Sequence, residues 1–250
     1  KGMCSSKELE QEEVYREEFI IQALENITIM LKEMYPRLNG GNIPNLEDML
    51  KMLTNFDLVE KMCEIMRQDQ ELAEKYSSQI TYFKKNFYAN SAGREATSKY
   101  IYLAVAQLDN LLRLPGVKTI LCNRHNNIDF DKALANGEVT LVCTRRGDLG
   151  RTSHKAFGLF FILSMQNAVL RRPGNESSRV PHFLYIDEFP DFICKDTEAI
   201  FTLYRKYKVG TTITAQNLAQ LNGDAPKMRY QDTILSNCAS KIFMGDARPE

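Results

Sequence analysis

The chain has 250 residues, of which 44% are hydrophobic and 26% charged, a composition typical of a globular protein with one large domain or two modest ones. Lys+Arg and Asp+Glu both number 32, so the formal net charge is zero and no overall basic field indicates nucleic-acid binding. The six cysteines form no C-x-x-C pair, and the longest wholly apolar run is Leu159–Leu163, which predicts a reducing cytoplasm, no zinc site, no disulfide framework and no membrane span.

The first half of the sequence predicts helices almost throughout. Asn45, with Asp48 at the capping-box position, predicts the start of the second helix. Pro36 and Pro115 predict the ends of the first and last helices. Amphipathic patterns lie at 7–35, from Asn45 onward, and at 55–67, 70–88 and about 95–112. We therefore predict an all-α domain over residues 1–117.

Two features of this helical domain allow two interpretations each. Met49, Met52, Met62 and Met66 form a stripe that indicates either a core face, the commoner meaning, or an adaptable binding groove. Aromatic and basic residues alternate over 82–88, which indicates either an ordinary helix with one buried aromatic side, again the commoner meaning, or a nucleic-acid face.

Beyond Pro115 the pattern changes to alternating strands and helices. Strands are predicted at 118–121, 139–144, 183–186, 211–216 and 240–244, and helices at 127–134, 153–170, 198–208 and 228–236. The run 139–144, VTLVCT, predicts a buried strand. This alternation is typical of a parallel sheet with helices on both faces. The predicted fold class of residues 118–250 is therefore α/β.

An acidic pair follows the apolar strand 183–186. Asp187 and Glu188 come directly after it, and Pro190 then prevents continuation of a central strand. Buried strand residues followed by two acids are the Walker B pattern, and ligands of α/β sheets bind at that carboxyl edge. Asp187 is the candidate Mg²⁺ ligand, directly or through water, and Glu188 the candidate base for a water aimed at a γ-phosphate. The alternative is a buried strand that ends in solvated acids.

The next predicted strand ends at Gln216. About two dozen residues separate the two strands, which is room for one right-handed crossover helix, and Gly210 lies where a helix-to-strand loop is expected. A parallel neighbour that ends in Gln beside an acidic pair is the arrangement of RecA-like motors, in which the amide senses the γ-phosphate. Taken alone, Gln216 is equally an ordinary polar residue at a strand end.

A phosphate-binding loop is missing from the sequence. Walker A loops have the pattern G-x-x-x-x-G-K-[ST], whose amides and Lys hold the β- and γ-phosphates. The nearest glycine-bearing turn, 147–153, lacks the closing Lys-Ser/Thr pair. The sequence therefore predicts either no nucleotide binding or only the second half of a nucleotide site.

Several short motifs resemble one protein family. They are I-D-F-D at 128–131, Y-I-D-E-F at 185–189, T-A-Q-N-L-A-Q-L at 214–221 and I-L-S-N at 234–237. Together with the helical block and the long apolar helix, they resemble the conjugative coupling ATPases of type IV secretion, the TraG/TraD type, in the HerA/FtsK branch of RecA-like motors. The resemblance spans essentially the whole chain and is most specific over 183–221.

The resemblance implies a fold and a set of cofactors. In this family an all-α domain is inserted between Walker A and Walker B, so we expect a fragment without the Walker A region. Residues 1–117 would be the all-α insertion, and residues 118–250 the C-terminal part of a RecA-like domain whose parallel sheet is flanked by helices. The intact protein would use ATP and Mg²⁺, and this fragment alone is not expected to bind them tightly.

The resemblance also implies roles for individual residues. Asp187 would be the Mg²⁺-associated acid, Glu188 the catalytic base and Gln216 the γ-phosphate sensor. An arginine acting in trans is expected, because negative charge grows on the transferring phosphoryl group. The candidates, which the sequence does not rank, are Arg146, Arg151, Arg171, Arg172 and Arg248.

The partners implied by the resemblance are macromolecular. The intact protein would be a homo-hexameric, DNA-stimulated ATPase anchored in the inner membrane, with this chain in its cytoplasmic part. It would pass a relaxase-bound DNA strand to the secretion channel, with relaxase or other cargo recognised by the all-α domain. One alternative is the TraC-type secretion motor of the same branch. The other is a non-catalytic adaptor that binds protein cargo through its helical domain, for which an acidic pair beside Gln216 has no evident use.

Overall fold

The computed structural model describes residues 6–125, 128–222 and 230–245, with side chains from residue 12 onward. The chain forms two compact units, Lys1–Asn126 and Asn127–Glu250. The predicted boundary between residues 117 and 118 lies within a helix of the first unit, Pro115–Leu121. Among the described residues, no helix combines the length and the apolar character needed to cross a membrane.

The first unit is helical, as predicted. Its α-helices are α1 (Ser6–Leu38), α2 (Leu46–Thr54), α3 (Phe56–Gln68), α4 (Gln70–Lys75), α5 (Ser77–Phe83), α6 (Ser91–Leu112) and α7 (Pro115–Leu121), and Lys84–Tyr88 is a π-helical turn. The predicted capping box is confirmed, because Asn45 accepts a hydrogen bond from the Asp48 amide and Asp48 accepts one from the Asn45 amide. Helix α1 continues past Pro36 and ends before Gly40, whose φ of 61° is left-handed.

The methionine stripe and the aromatic segment belong to the core of this unit. Met52 and Met66 are 2% and 0% exposed, and Met49 and Met62 pack against the same core. Phe83 and Phe87 are fully buried, with ring centroids 5.2 Å apart in an edge-to-face arrangement. The core interpretation of both features is therefore the one that the structure supports.

A carboxylate joins α1 to the start of α5. Glu33 accepts hydrogen bonds from the Tyr76 hydroxyl and from Arg37, the latter at 2.6 Å. These bonds, that of Tyr76 first, lower the pKa of Glu33 from 4.5 to about 2. The carboxylate is therefore ionised at neutral pH and ties together two helices that are distant in sequence.

The second unit contains a pair of parallel strands. Strand β1 (His182–Ile186) pairs with β2 (Val209–Ile213) in a register that sets Ile186 opposite Ile213. Ile186 and Val209 are buried on one face, whereas Phe183 and Tyr185 are exposed on the other. Because both strands run in the same direction, their carboxyl ends meet at one edge.

Helices and 3₁₀ turns surround these strands. The α-helices are α8 (Phe130–Asn136), α9 (Arg146–Leu170), α10 (Ala199–Thr202) and α11 (Tyr230–Asn237), and the 3₁₀ turns are Phe189–Phe192, Lys195–Glu198, Tyr204–Tyr207 and Leu218–Asn222. Helix α8 confirms its prediction, with Asp129 as N-cap and Gly137, at φ 70°, closing it. Helix α9 begins earlier than predicted and breaks at Gly150, where φ is 72°. The crossover predicted as one helix over 198–208 is instead α10 between two 3₁₀ turns.

Three predicted strands are wrong for the described structure. Residues 118–121 lie in α7, where Pro115 at the first helical position favours a helix. Residues 139–144 and 240–244 have no regular structure, and Leu141 and Ile242 are 91% and 83% exposed. Residues 139–144 are rich in β-branched residues and 240–244 contain an apolar run, but a strand also needs hydrogen-bonding neighbours. In the part of the chain that is described, the sheet has two strands, and the predicted RecA-like sheet is not shown.

Two predicted features extend outside the described residues. The start of the helix predicted at 228–236 is one, because α11 is described from Tyr230 onward. Asn127, the first residue of the helix predicted at 127–134, is the other.

A glycine allows the turn after β1 to pack against α9. Phe192 is 5% exposed, and a Cβ atom built on Gly158 would lie 2.2 Å from Cε1 of its ring. A methyl group at position 158 therefore cannot fit unless Phe192 leaves the core.

We predict that Gly158→Ala destabilises the protein by about 1–3 kcal/mol, the usual cost of overpacking a core. The matched control is Gly147→Ala in the same helix, because a Cβ atom there meets nothing within 4 Å and Ala is the better helix former by up to ~1 kcal/mol. Urea unfolding of both variants measures the difference. Equal midpoints for Gly158→Ala and the wild type would show that the Phe192 contact is absent in solution.

Candidate functional site

The site lies at the carboxyl edge of the two parallel strands. Asp187 follows β1 directly, and Thr214 follows β2 directly. The Thr214 hydroxyl donates a hydrogen bond of 2.5 Å to Oδ1 of Asp187 and accepts one of 3.0 Å from the backbone N–H of Glu188. One hydroxyl can do both, since it carries one hydrogen and two lone pairs. The predicted acidic pair is thus held by the neighbouring strand.

Glu188 has an unusual backbone conformation. Its φ and ψ are 50° and 41°, which is the left-handed region that residues other than Gly seldom occupy. Its N–H also lies 3.1 Å from Oδ1 of Asp187, and its carbonyl accepts a hydrogen bond of 3.0 Å from the Asp191 N–H. A bond of 3.1 Å from the Phe189 N–H to the Thr214 carbonyl fixes the next residue. Such conformations cost about 1–3 kcal/mol and occur most often at functional sites.

Asp187 has the donor chemistry for a partial magnesium site. Mg²⁺ is usually held by one or two carboxylates, with water and phosphate oxygens completing its octahedron. Oδ1 of Asp187 is engaged by Thr214 and Glu188, which leaves Oδ2 as the oxygen for a cation. No group of three or more His, Cys, Asp or Glu side chains suited to a metal occurs among the described residues, so Asp187 fits a shared site and not a closed one.

Gln216 is not joined to the acids. It is exposed and lies three residues beyond the end of β2. Within the described residues, no hydrogen bond links it to Asp187 or Glu188. Asn217, beside it, accepts a hydrogen bond of 3.0 Å from the Gln220 N–H and so begins the 3₁₀ turn Leu218–Asn222.

Two of the five candidate arginines are engaged within the second unit away from the acids. Arg171 makes a two-pronged ion pair with Asp131 at 3.0 and 2.6 Å, and this hydrogen bonding lowers the pKa of Asp131. Arg172 is buried and donates to the carbonyls of Tyr207, Leu134 and Val180. Burial, together with the nearby charge of Arg179, lowers the pKa of Arg172. Both side chains therefore connect separate elements of the second unit through hydrogen bonds.

The other three arginines have different surroundings. Arg146 is half exposed and binds Oδ2 of Asp191 through Nη1 at 3.2 Å. Arg151 is exposed, one residue after the break in α9. Arg248 lies outside the described residues. Of the four candidates that the structure describes, Arg146 is thus the one joined to the turn after β1.

Sequence reasoning missed three residues around the acids. Thr214 occupies the position after β2 that matches Asp187 after β1, so the strand register was the signal that could have found it. Asp191 follows Asp187 by four residues, but nothing in its spacing indicates that it faces Arg146. His154 comes close to Asp191 only through the packing of α9, which no local pattern predicts.

One comparison with known proteins found a match. Residues 181–250 match a family model described as the TraM recognition site of TraD and TraG. The matched stretch contains both strands, the acidic pair and Thr214, and it supports a coupling protein of the TraG/TraD type. Searches of curated proteins and of solved structures found no match. The match does not extend to the helical unit, to which the resemblance assigned cargo recognition.

We predict that Thr214→Val lowers the free energy of unfolding by about 0.5–1.5 kcal/mol relative to Thr214→Ser, because the valine loses the hydroxyl that joins Asp187 to Glu188. Serine keeps that hydroxyl and is the matched control. Urea unfolding of the two variants gives the difference. If valine is as stable as serine, the hydroxyl does not hold the acidic pair.

Proposed function

We propose that this chain is part of a conjugative coupling protein of the TraG/TraD type, an ATPase that recruits a DNA–relaxase substrate and moves it into a type IV secretion channel. The observation that carries the proposal is the arrangement of Asp187 and Glu188. Both lie at the carboxyl edge of a parallel strand pair, held by Thr214, within the stretch that matches the TraM recognition site of TraD and TraG.

In the proposed mechanism the two acids have separate tasks. Oδ2 of Asp187 would hold Mg²⁺, which when bound with ATP neutralises charge on the phosphates. The carboxylate of Glu188, exposed at the strand edge, would orient a water and accept its proton. Gln216, which follows β2 by three residues, would be the γ-phosphate sensor at the same edge.

The proposed partners follow from the same class of protein. Residues 181–250 would contact TraM, in keeping with the description of the matching family. Relaxase or other cargo would bind the helical unit, DNA would stimulate hydrolysis, and the active assembly would be a homo-hexamer beside the channel. This chain would then be a cytoplasmic part of a protein anchored in the inner membrane, which brings the phosphate-binding loop from elsewhere in its sequence.

We predict that Glu188→Gln in the full-length protein keeps ATP binding and lowers DNA-stimulated hydrolysis by about 10²–10⁴-fold, the usual contribution of a general base. Steady-state phosphate release with and without DNA measures the effect, and calorimetry measures ATP binding. Glu176→Gln, an exposed glutamate in the loop between α9 and β1, is the matched control. Unchanged turnover in Glu188→Gln would falsify the base assignment.

We predict that the full-length protein binds purified TraM saturably and that Glu188→Gln binds it equally well, because recognition does not require hydrolysis. A pull-down with titrated TraM, followed by calorimetry, checks both statements. Hydrolysis without TraM binding would favour the TraC-type motor. TraM binding without any hydrolysis would favour the non-catalytic adaptor.

A further inference from the structure

A buried histidine lies next to Asp191 and Phe192, in the turn that also contains Glu188. His154, in α9, is 6% exposed, and its Nδ1 is hydrogen-bonded to the backbone carbonyl of Thr144. Because a carbonyl oxygen can only accept, Nδ1 carries the hydrogen. The other ring nitrogen, Nε2, is buried and has no hydrogen-bond partner. A buried polar atom without a partner is uncommon and calls for an explanation.

The unpartnered nitrogen faces a carboxylate. Oδ2 of Asp191 lies 3.6 Å from Nε2 of His154, just beyond hydrogen-bonding distance. The same oxygen is bound by Nη1 of Arg146 at 3.2 Å. Two side chains of α9, those of Arg146 and His154, thus converge on one oxygen of the turn after β1.

Asp191 is connected to the candidate base through the backbone. Its N–H donates to the carbonyl of Glu188 at 3.0 Å. The left-handed conformation of Glu188 is therefore held on both sides, by Thr214 at its N–H and by Asp191 at its carbonyl. A shift of Asp191 moves the carbonyl, and with it the direction in which the Glu188 side chain leaves the turn.

Core packing holds the His154 ring in the neighbourhood of Asp191. The His154 ring lies against the Phe192 ring, with centroids 5.2 Å apart. Phe192 in turn fills the space above Gly158. Because Nδ1–H is already donated to Thr144, Nε2 can donate to Oδ2 only in the doubly protonated imidazolium. In that form, a displacement of roughly 0.6 Å would bring the two atoms to the ~3.0 Å of a normal hydrogen bond.

We propose that His154 and Arg146 are positioning residues for hydrolysis, which act through Asp191 to hold the turn that presents Glu188. The inference rests on the proposed function, because it assigns Glu188 a catalytic task. It gives Arg146 a role within its own chain in place of a role in trans. Since an error of about 1 Å in the position of a catalytic group can cost about 10²-fold in rate, loss of the contacts of His154 and Arg146 with Asp191 would lower turnover and leave nucleotide affinity almost unchanged.

The test compares two histidine replacements in the full-length protein. His154→Asn keeps an amide in the place of Nδ1 and loses the contact with Asp191. His154→Gln keeps an N–H donor in the place of Nε2. We expect His154→Asn and Asp191→Asn to lower kcat for DNA-stimulated ATP hydrolysis by about 10- to 100-fold with little change in KM, and His154→Gln to stay within about threefold of the wild type.

Two further variants separate the possible outcomes. Asp148→Asn removes an exposed ion pair with Arg145 at the start of α9 and should leave kcat unchanged. Glu188→Gln reports on the proposed function itself. If Glu188→Gln abolishes hydrolysis while His154→Asn retains it, the positioning role is refuted and the proposed function stands. If Glu188→Gln retains hydrolysis, or the wild type has none, both fail.

A purely structural role for His154 would give another pattern. His154→Asn and His154→Gln would then lower the melting temperature together and reduce the active fraction equally, without rescue of kcat by glutamine. That result would also overturn the inference. Amide hydrogen exchange adds a readout that does not depend on activity, since faster exchange at Asp191 is expected in His154→Asn and not in His154→Gln.

Discussion

The hydroxyl of Thr214 is the contact on which the candidate site depends. Parallel pairing brings the ends of β1 and β2 to one edge, but pairing alone leaves side chains beyond the last ladder bond free to turn away. The hydroxyl removes that freedom by donating to Asp187 and accepting from the Glu188 N–H. The placement of two acids from one strand is therefore decided by a residue of its neighbour, and the strained backbone of Glu188 is stabilised by the same bonds.

The helical unit could be predicted closely because its signals are local. The capping box at Asn45 and Asp48 needs residues three apart, and the alternation of apolar and polar positions follows directly from the helical period. Burial of Met52, Met66 and Phe87 then settles which face packs inward. The two commoner interpretations of the methionine stripe and of the aromatic segment were sufficient here, since core packing is what such stripes usually serve.

The second unit was harder to predict because strands depend on partners that local sequence does not specify. The acidic pair and its position after β1 were predictable from an apolar run followed by charges. The runs 139–144 and 240–244 are rich in apolar residues, as β1 is, but they pair with no strand in the described structure, so composition was misleading there. The position of Thr214 could have been predicted from the register of the two strands. The approach of His154 to Asp191, in contrast, depends on how α9 packs. Long-range contacts of that kind produce no periodic pattern in the sequence from which they could be predicted.

The exposed apolar segments determine how the chain behaves in concentrated solution. Leu141 and Ile242 are 91% and 83% exposed, and both lie in segments without regular secondary structure. The formal net charge is zero, so molecules near neutral pH lack the mutual repulsion that keeps proteins dispersed. Proteins that have no net charge and expose apolar segments associate readily with one another. We therefore expect the solubility of this chain to be lowest close to pH 7 and to rise on both sides of neutrality, as the molecules acquire charge of one sign.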